Sequence, residues 1–252
     1  MEPLDQHRAR RIAALAAPDG WLNLVARIDL TPGTHRVGAG QEVQLPSGPD
    51  LLGTLVLGPR GASFARPGEA PRDFQPVPDG FPLLQVDPFL LEIHTVDGVP
   101  ALRVRDLTLR PGAEIRYFPD APNWVIRATW DDLAPEQAKV TMKDGSTATV
   151  TLTHSARFVH DGHQVTLTPT HWKGGKPMFV FRDATAGETY AAGRFLIGED
   201  AVAGTNGKRG EITLDFNRAF TPPCGFTDFA ICPLPPPGNI LPFRVEAGEK
   251  TP

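Results

Sequence analysis

With 252 residues, 40 % of them apolar and 21 % charged, the chain is long and apolar enough to bury a sizeable core, which excludes a wholly disordered segment. Its formal charge is −4, without a basic stripe or polybasic tail, so neither nucleic acid nor an anionic membrane is an expected partner. Two cysteines exclude a disulfide scaffold.

Met1-Glu2-Pro3-Leu4-Asp5 lacks the basic-then-apolar pattern of a signal peptide, and the apolar run from Ile12 to Ala17 is too short to span a bilayer. A cytoplasmic location is therefore expected. From Asp5 to Ala16 the spacing predicts a helix. Leu4, Arg8, Ile12 and Leu15 fall near one face, and Arg10 and Arg11 fall on the solvated side. Pro18-Asp19-Gly20 stops it. Short strands between Gly/Pro turns follow at 21–29, 38–45, 51–57 and 83–86. Segments 89–95 and 101–104 flank Asp97-Gly98, a tight-turn pair. Residues 124–130 alternate, Val125, Arg127 and Thr129 opposing Trp124, Ile126, Ala128 and Trp130.

The polar stretch 131–139, carrying Pro135, reads as a linker. It divides the chain into residues 1–130, a helix plus a β-rich half, and residues 139–252, a second β-rich half, with one continuous sheet system as the other reading. Beyond it, 156–160 and 163–168 surround Asp161-Gly162, a two-residue turn signal. That turn pairs 160 with 163, 158 with 165, 156 with 167 and 154 with 169, and puts Ala156, Phe158, Val165 and Leu167 on one face. Further strands are expected at 178–182, 189–196, 211–217 and 241–246. The fold class is mainly β: a short N-terminal helix followed by antiparallel sheets in a sandwich or barrel-like arrangement.

Seven histidines invite a metal hypothesis, which the register argues against. At about 3.3 Å per residue, His154 and His160 lie roughly 20 Å apart and cannot share an ion. His160 and His163 flank a turn with no third ligand beside Asp161, so they read as turn residues and no metal is expected. No His-Glu-x-x-His, Gly-x-Ser-x-Gly or phosphate-loop pattern occurs, and no motif names a cofactor.

The chemistry-bearing residues concentrate between 179 and 250. Phe181-Arg182-Asp183 precedes Thr189-Tyr190-Ala191-Ala192-Gly193-Arg194. Then come Asp215-Phe216-Asn217-Arg218-Ala219-Phe220, Pro222-Pro223-Cys224, Cys232-Pro233-Leu234-Pro235-Pro236-Pro237 and Glu246-Ala247-Gly248-Glu249-Lys250. Positions four apart share a strand face, which would align Tyr190 with Arg194, and Asp215 shares a face with Asn217. Should the two faces meet, Tyr190, Arg194, Asp215 and Asn217, with Arg218 and Glu246 beside them, make a polar cluster able to hold a small anion in the arginine fork. A hydrolytic version uses Asp215 or Glu246 as base and Arg194 to stabilise developing negative charge. The competing reading is an arginine–carboxylate brace for irregular loops.

These segments resemble the bacterial family catalogued as domain of unknown function sixteen-eighty-four. Its usual pattern is Thr-Tyr-Gly-x-Gly-Arg, then Asp-Phe-Asn-x-Ala-Tyr-Asn-Pro-Pro-Cys, then Cys-Pro-Leu-Pro-Pro and Glu-Ala-Gly-Glu-Lys. Ala191, Phe220 and Thr221 depart from it at Gly, Tyr and Asn. Weaker matches cover Asp19-Gly20-Trp21-Leu22 and Arg103-Val104-Arg105-Asp106. The resemblance implies a β-rich bacterial protein and carries no established activity.

Cys224 and Cys232 read by default as two buried thiols in a reducing compartment, with a disulfide as the other reading. A nucleophilic Cys224 needs a neighbouring base, and none is adjacent in the sequence. In the N-terminal half, Gly33-Thr34-His35-Arg36-Val37-Gly38 followed by Val43-Gln44-Leu45-Pro46 resembles the start of phosphopeptide-binding forkhead-associated domains, with Ser63 as a second candidate. Two functions follow from different classes. One is a protein binding a small anionic ligand at Tyr190, Arg194, Asp215, Asn217, Arg218 and Glu246, with hydrolysis as an extension. The other is a β-sandwich interaction module in which the C-terminal motif only braces the fold.

Overall fold

The computed structural model describes residues 2–78, 80–96, 98–112, 114–205 and 209–251. Among the described residues it is mainly β, with four open sheets and one α-helix, and the chain divides into two compact units: Ala13–Ala113, and Met1–Ile12 with Glu114–Pro252. Among the described residues, no helix is long and apolar enough to cross a membrane.

Helix α1 (Leu4–Ala16) begins where the spacing predicts, with Asp5 in its first turn facing the positive end of the helix dipole. Gly20 is required where the chain leaves it. A β-carbon there would lie 2.4 Å from the carbonyl oxygen of Leu15 and 2.6 Å from that of Ala14. The expected strand 21–29 is shorter at its start: Trp21–Asn23 form a 3₁₀ turn, and Asn23 Nδ2 donates to the carbonyls of Asp106 (2.8 Å) and Leu109 (3.3 Å).

In the Ala13–Ala113 unit, strands β1 (Leu24–Asp29), β2 (Gly33–Gly38), β3 (Val43–Gln44), β4 (Gly53–Gly58), β5 (Gly61–Ala65), β6 (Arg72–Asp73), β7 (Leu83–Val86), β8 (Phe89–Val96) and β9 (Val99–Asp106) build two sheets, ordered β1-β9-β8-β7 and β3-β2-β4-β5-β6. The expected strand 38–45 is replaced by β2 and the short β3. The amides of Ala39 and Gly40 leave the ladder for the carbonyls of Pro49 (2.9 Å) and Asp50 (3.2 Å). β8 and β9 form the expected hairpin closing at Val96–Val99. Gly98 has φ +81°, and Asp97 of the expected turn pair lies outside the described residues. Val37, Leu55 and Phe64 of one sheet and Leu91, Leu102 and Val104 of the other belong to one core, each side chain contributing roughly 1.5–3 kcal/mol.

In the larger unit, β10 (Val125–Thr141), β11 (Thr147–His160), β12 (His163–Leu167), β13 (His171–Lys173), β14 (Lys176–Phe181), β15 (Arg194–Ile197), β16 (Glu199–Val202) and β17 (Gly210–Asp215) form sheets ordered β12-β11-β10-β17-β16 and β13-β14-β15. The stretch 131–139 is not a linker. It is the middle of β10, and Pro135, which has no N–H for the ladder, falls where the register against β11 shifts between Asp132 and Glu136. The β11–β12 hairpin has the expected register, His160–His163, Phe158–Val165 and Ala156–Leu167, around Asp161 (φ +47°) and Gly162 (φ +78°). The expected 154–169 pair does not form. β12 ends at Leu167, and Thr168 N leaves the ladder for Asn239 Oδ1 (2.9 Å). Residues 241–246 are irregular rather than a strand, because Leu241 N turns to the carbonyl of Arg182 (2.7 Å) and Val245 N to Asp183 Oδ1 (3.1 Å).

Candidate functional site

Arg194 opens β15 opposite Phe181 and is 1 % exposed. Its Nη2 donates to Asp183 Oδ2 (2.7 Å) and the carbonyl of Val245 (3.0 Å), and its Nη1 donates to the carbonyls of Ala247 and Glu249. The other carboxylate oxygen of Asp183 accepts from Thr185 N (2.8 Å), Thr185 Oγ1 (2.6 Å) and Val245 N (3.1 Å). Arg194 thus ties the irregular C-terminal segment to the end of β14, and its charge is met inside the protein.

The six candidate residues do not form one cluster. Tyr190 stands in a turn ahead of β15, because Gly193 (φ +115°) reverses the backbone where a strand was expected. No side chain fits there: a β-carbon would meet the carbonyl oxygen of Phe181 and Cγ of Pro235, both at 2.7 Å. Asp215, Asn217 and Arg218 do meet, at a 3₁₀ turn after β17. Asp215 Oδ1 accepts from Asn217 N (3.1 Å) and Nδ2 (3.0 Å), and its Oδ2 accepts from Arg218 Nε (2.9 Å). Asn217 also exchanges two hydrogen bonds with the backbone of Ala121, at 2.9 and 3.0 Å. Glu246 is exposed and accepts from Arg244 Nε (2.8 Å).

Glu249, which the sequence reading passed over, is 2 % exposed. It accepts from Arg11 Nε (3.0 Å) and Thr221 N (2.7 Å). Arg11 therefore leaves the solvated side assigned to it: its Nη2 reaches the carbonyl of Thr221 (2.6 Å), and its guanidinium lies 4.9 Å from the Phe220 ring centre. In the other unit, Arg36 and Ser63 occupy strands β2 and β5, paired with Thr54 and Val56, and not a phosphopeptide loop.

What remains of the motif converges on the two cysteines. Pro223-Cys224-Gly225 make one 3₁₀ turn, and Cys224 N donates to Cys232 Sγ (3.3 Å). Both thiols are free and 4 % exposed. Tyr190 donates its hydroxyl to the carbonyl of Cys224 (2.8 Å), with the oxygen 3.7 Å from Cys224 Sγ. Gly225 lets the tyrosine ring approach, since a β-carbon there would sit 3.3 Å from Tyr190 Cδ2 and 2.4 Å from Thr221 Cγ2. Lys143, in the β10–β11 turn, donates Nζ to the same carbonyl (2.9 Å), while its own backbone N–H holds the carbonyl of Cys232 (2.9 Å).

The electrostatics separate the two sulfurs. The Cys232 thiol hydrogen-bonds Cys224, and with the Tyr190 hydroxyl and the Lys143 charge it outweighs burial and lowers the Cys224 thiol to about 7. Holding its proton toward Cys224 and lying buried, Cys232 is pushed up. Burial also raises the Tyr190 phenol. Of the two sulfurs, Cys224 is therefore the one whose ionisation the surroundings favour. Among the described residues no group of three or more His, Cys, Asp or Glu could hold a metal ion.

The family described as "Protein of unknown function (DUF1684)" matches residues 113–250, the stretch that carries this site. The chain is also similar to an uncharacterized protein of Haloarcula marismortui solved by solution NMR. The identity is 32 % over 54 % of this chain and 76 % of that one, with a TM-score of 0.43. No curated protein matches it.

Proposed function

The chain belongs to the DUF1684 family of proteins of unknown function, and from that premise we propose that its larger unit is a thiol redox module in which Cys224 reacts and Cys232 resolves. The observation that carries this reading is the meeting of the two sulfurs beneath Tyr190 and Lys143. The anion-binding and hydrolytic expectations have less support, since both Nη groups of Arg194 are taken by its own chain and Asp215 is held by Asn217 and Arg218.

Burial of both thiols favours a small oxidant, and hydrogen peroxide fits. The Cys224 thiolate attacks one peroxide oxygen. The O–O bond breaks, and the departing hydroxide takes a proton to become water, leaving Cys224 as sulfenic acid. The Cys232 sulfur then attacks Cys224 Sγ and loses its proton, and the displaced hydroxide leaves as a second water. One peroxide is reduced, two thiols become one disulfide, and an external dithiol restores the pair by exchange. The same reading places the chain in a reducing compartment such as the cytoplasm, where the dithiol is the resting state.

Alkylation of the reduced protein across pH tests this. Cys224 should react with a midpoint near 7 rather than at the ordinary thiol value of about 8.5. Peroxide should convert the wild type to an intramolecular disulfide, and Cys232→Ser to a sulfenic acid that dimedone traps at Cys224. Two thiols that survive peroxide unchanged, or a midpoint at the ordinary value, would overturn the reading.

A further inference from the structure

The β1-β9-β8-β7 sheet has a second face unlike its core face. Leu91, Ile93, Leu102 and Val104 enter the core, so the alternating residues Glu92, His94, Arg103 and Arg105 share the opposite side. Arg27 stands directly across from Arg103, which stands across from Glu92. Glu92, His94, Arg103 and Arg105 are all 5–7 % exposed.

Three cations here meet two carboxylates. Arg103 and Arg105 each donate Nη1 to one oxygen of Glu92, at 3.0 and 2.7 Å. Arg27 turns to Asp29 (2.7 Å), whose side chain is 67 % exposed. Burial, then the charge of Arg103, holds His94 near 4, so at neutral pH it adds no charge of its own. The Nε atoms of Arg27, Arg103 and Arg105 have no hydrogen-bond partner among the described residues. A buried donor without an acceptor and a buried cation in excess both cost free energy, and one anion relieves both. In guanidinium, Nε and Nη2 form the edge that matches two oxygens of a phosphate or carboxylate. Trp21 lies over both groups, 5.2 Å from Arg103 and 5.8 Å from Arg105, and so restrains their planes.

We propose that this face binds an oxyanion, with Arg103 and Arg105 presenting their Nε edges beneath Trp21. Phosphoryl and carboxylate ligands share that chemistry, and the experiment separates them. The whole chain is titrated with inorganic phosphate and, separately, with succinate, against chloride at matched ionic strength, with thermal midpoint and tryptophan fluorescence as readouts. Either oxyanion should raise the midpoint beyond chloride and change the fluorescence. A response to phosphate alone assigns phosphoryl ligands, and a response to succinate alone assigns carboxylates. Trp21→Phe should abolish the fluorescence change while leaving a thermal shift. Arg105→Lys, which keeps the charge but loses the fork, should weaken binding about tenfold. The arginine Nε–H resonances of the wild type give a reading independent of how any variant folds, and those of Arg103 and Arg105 should move on titration. No midpoint change beyond chloride, or Nε–H signals that stay in place, would overturn the proposal.

Discussion

Arg194 and the Arg103–Arg105 pair are buried to nearly the same degree, on two different units of one chain. Around Arg194 every charge has its answer: one carboxylate, itself held by three further donors, and backbone carbonyls from the C-terminal segment. Around Arg103 and Arg105 a single carboxylate serves two guanidinium groups; the Nε of each is left over, as is that of Arg194, so what separates the two arrangements is the balance of charge. The first arrangement matches one guanidinium to one carboxylate and acts as a clasp. The second has positive charge to spare. Burial of an arginine therefore says little about its role until its charge is matched to the carboxylates around it.

The largest test of that contrast is Arg194→Ala. It strands Asp183 as a buried charge and leaves the carbonyls of Val245 and Ala247 without their donor, so urea unfolding should report a loss of about 3–5 kcal/mol that no added anion restores. Glu92→Gln comes next. An amide still accepts one N–H, so the expected loss in phosphate-free buffer is roughly 2–3 kcal/mol, and millimolar phosphate should return much of it. If phosphate restores Arg194→Ala equally, or leaves Glu92→Gln unchanged, the distinction between the two arrangements collapses.

How far the sequence carried this contrast depends on where each partner comes from. The β11–β12 hairpin was readable from its turn out to the Ala156–Leu167 pair, because Asp161-Gly162 supplies the positive φ values of a two-residue turn and the flanking alternation leaves one register. The alternation of Arg103 and Arg105 with Leu102 and Val104 was equally visible, but their partner Glu92 and the cover of Trp21 depend on the tertiary arrangement. At the cysteines both sulfurs were in view, yet the group that biases them is Lys143, 81 residues before Cys224, on a turn with no spacing signal. Tyr190 and Arg194 were misaligned because one glycine, Gly193, reverses the backbone between them. Residues 131–139 misled because polar composition and Pro135 look like a linker, whereas a long, largely exposed strand tolerates both at a register shift.

Acid sharpens the comparison by a smaller amount. His94 sits on the arginine face with its folded pKa lowered to about 4, against about 6.5 in the unfolded chain. Between those values the unfolded chain binds a proton that the folded chain refuses. Stability from this group is thus present above pH 6.5 and lost as pH falls toward 4. His94→Gln, which cannot titrate, should flatten that acid limb in a plot of unfolding free energy against pH. The flattening should be partial, since burial also lowers His171 in the larger unit. An acid limb unchanged in His94→Gln would show that neither burial nor the neighbouring arginines hold this histidine neutral.

The smallest effect belongs to a third arginine, which isolates burial as the variable. Arg244 contacts two carboxylates, Glu188 and Glu246, so its ion pairs outnumber the single one of Arg194, but all three side chains are largely exposed. Water already solvates each charge, and holding three long side chains in one geometry costs conformational entropy, so the gain from pairing is largely cancelled. Arg244→Ala should therefore shift the urea midpoint by no more than replicate scatter, and that null result should persist in high salt. A loss approaching that of Arg194→Ala would mean that the count of carboxylates, and not their removal from water, decides what an arginine contributes here, and would undo the contrast between the clasp at Arg194 and the open face at Arg103 and Arg105.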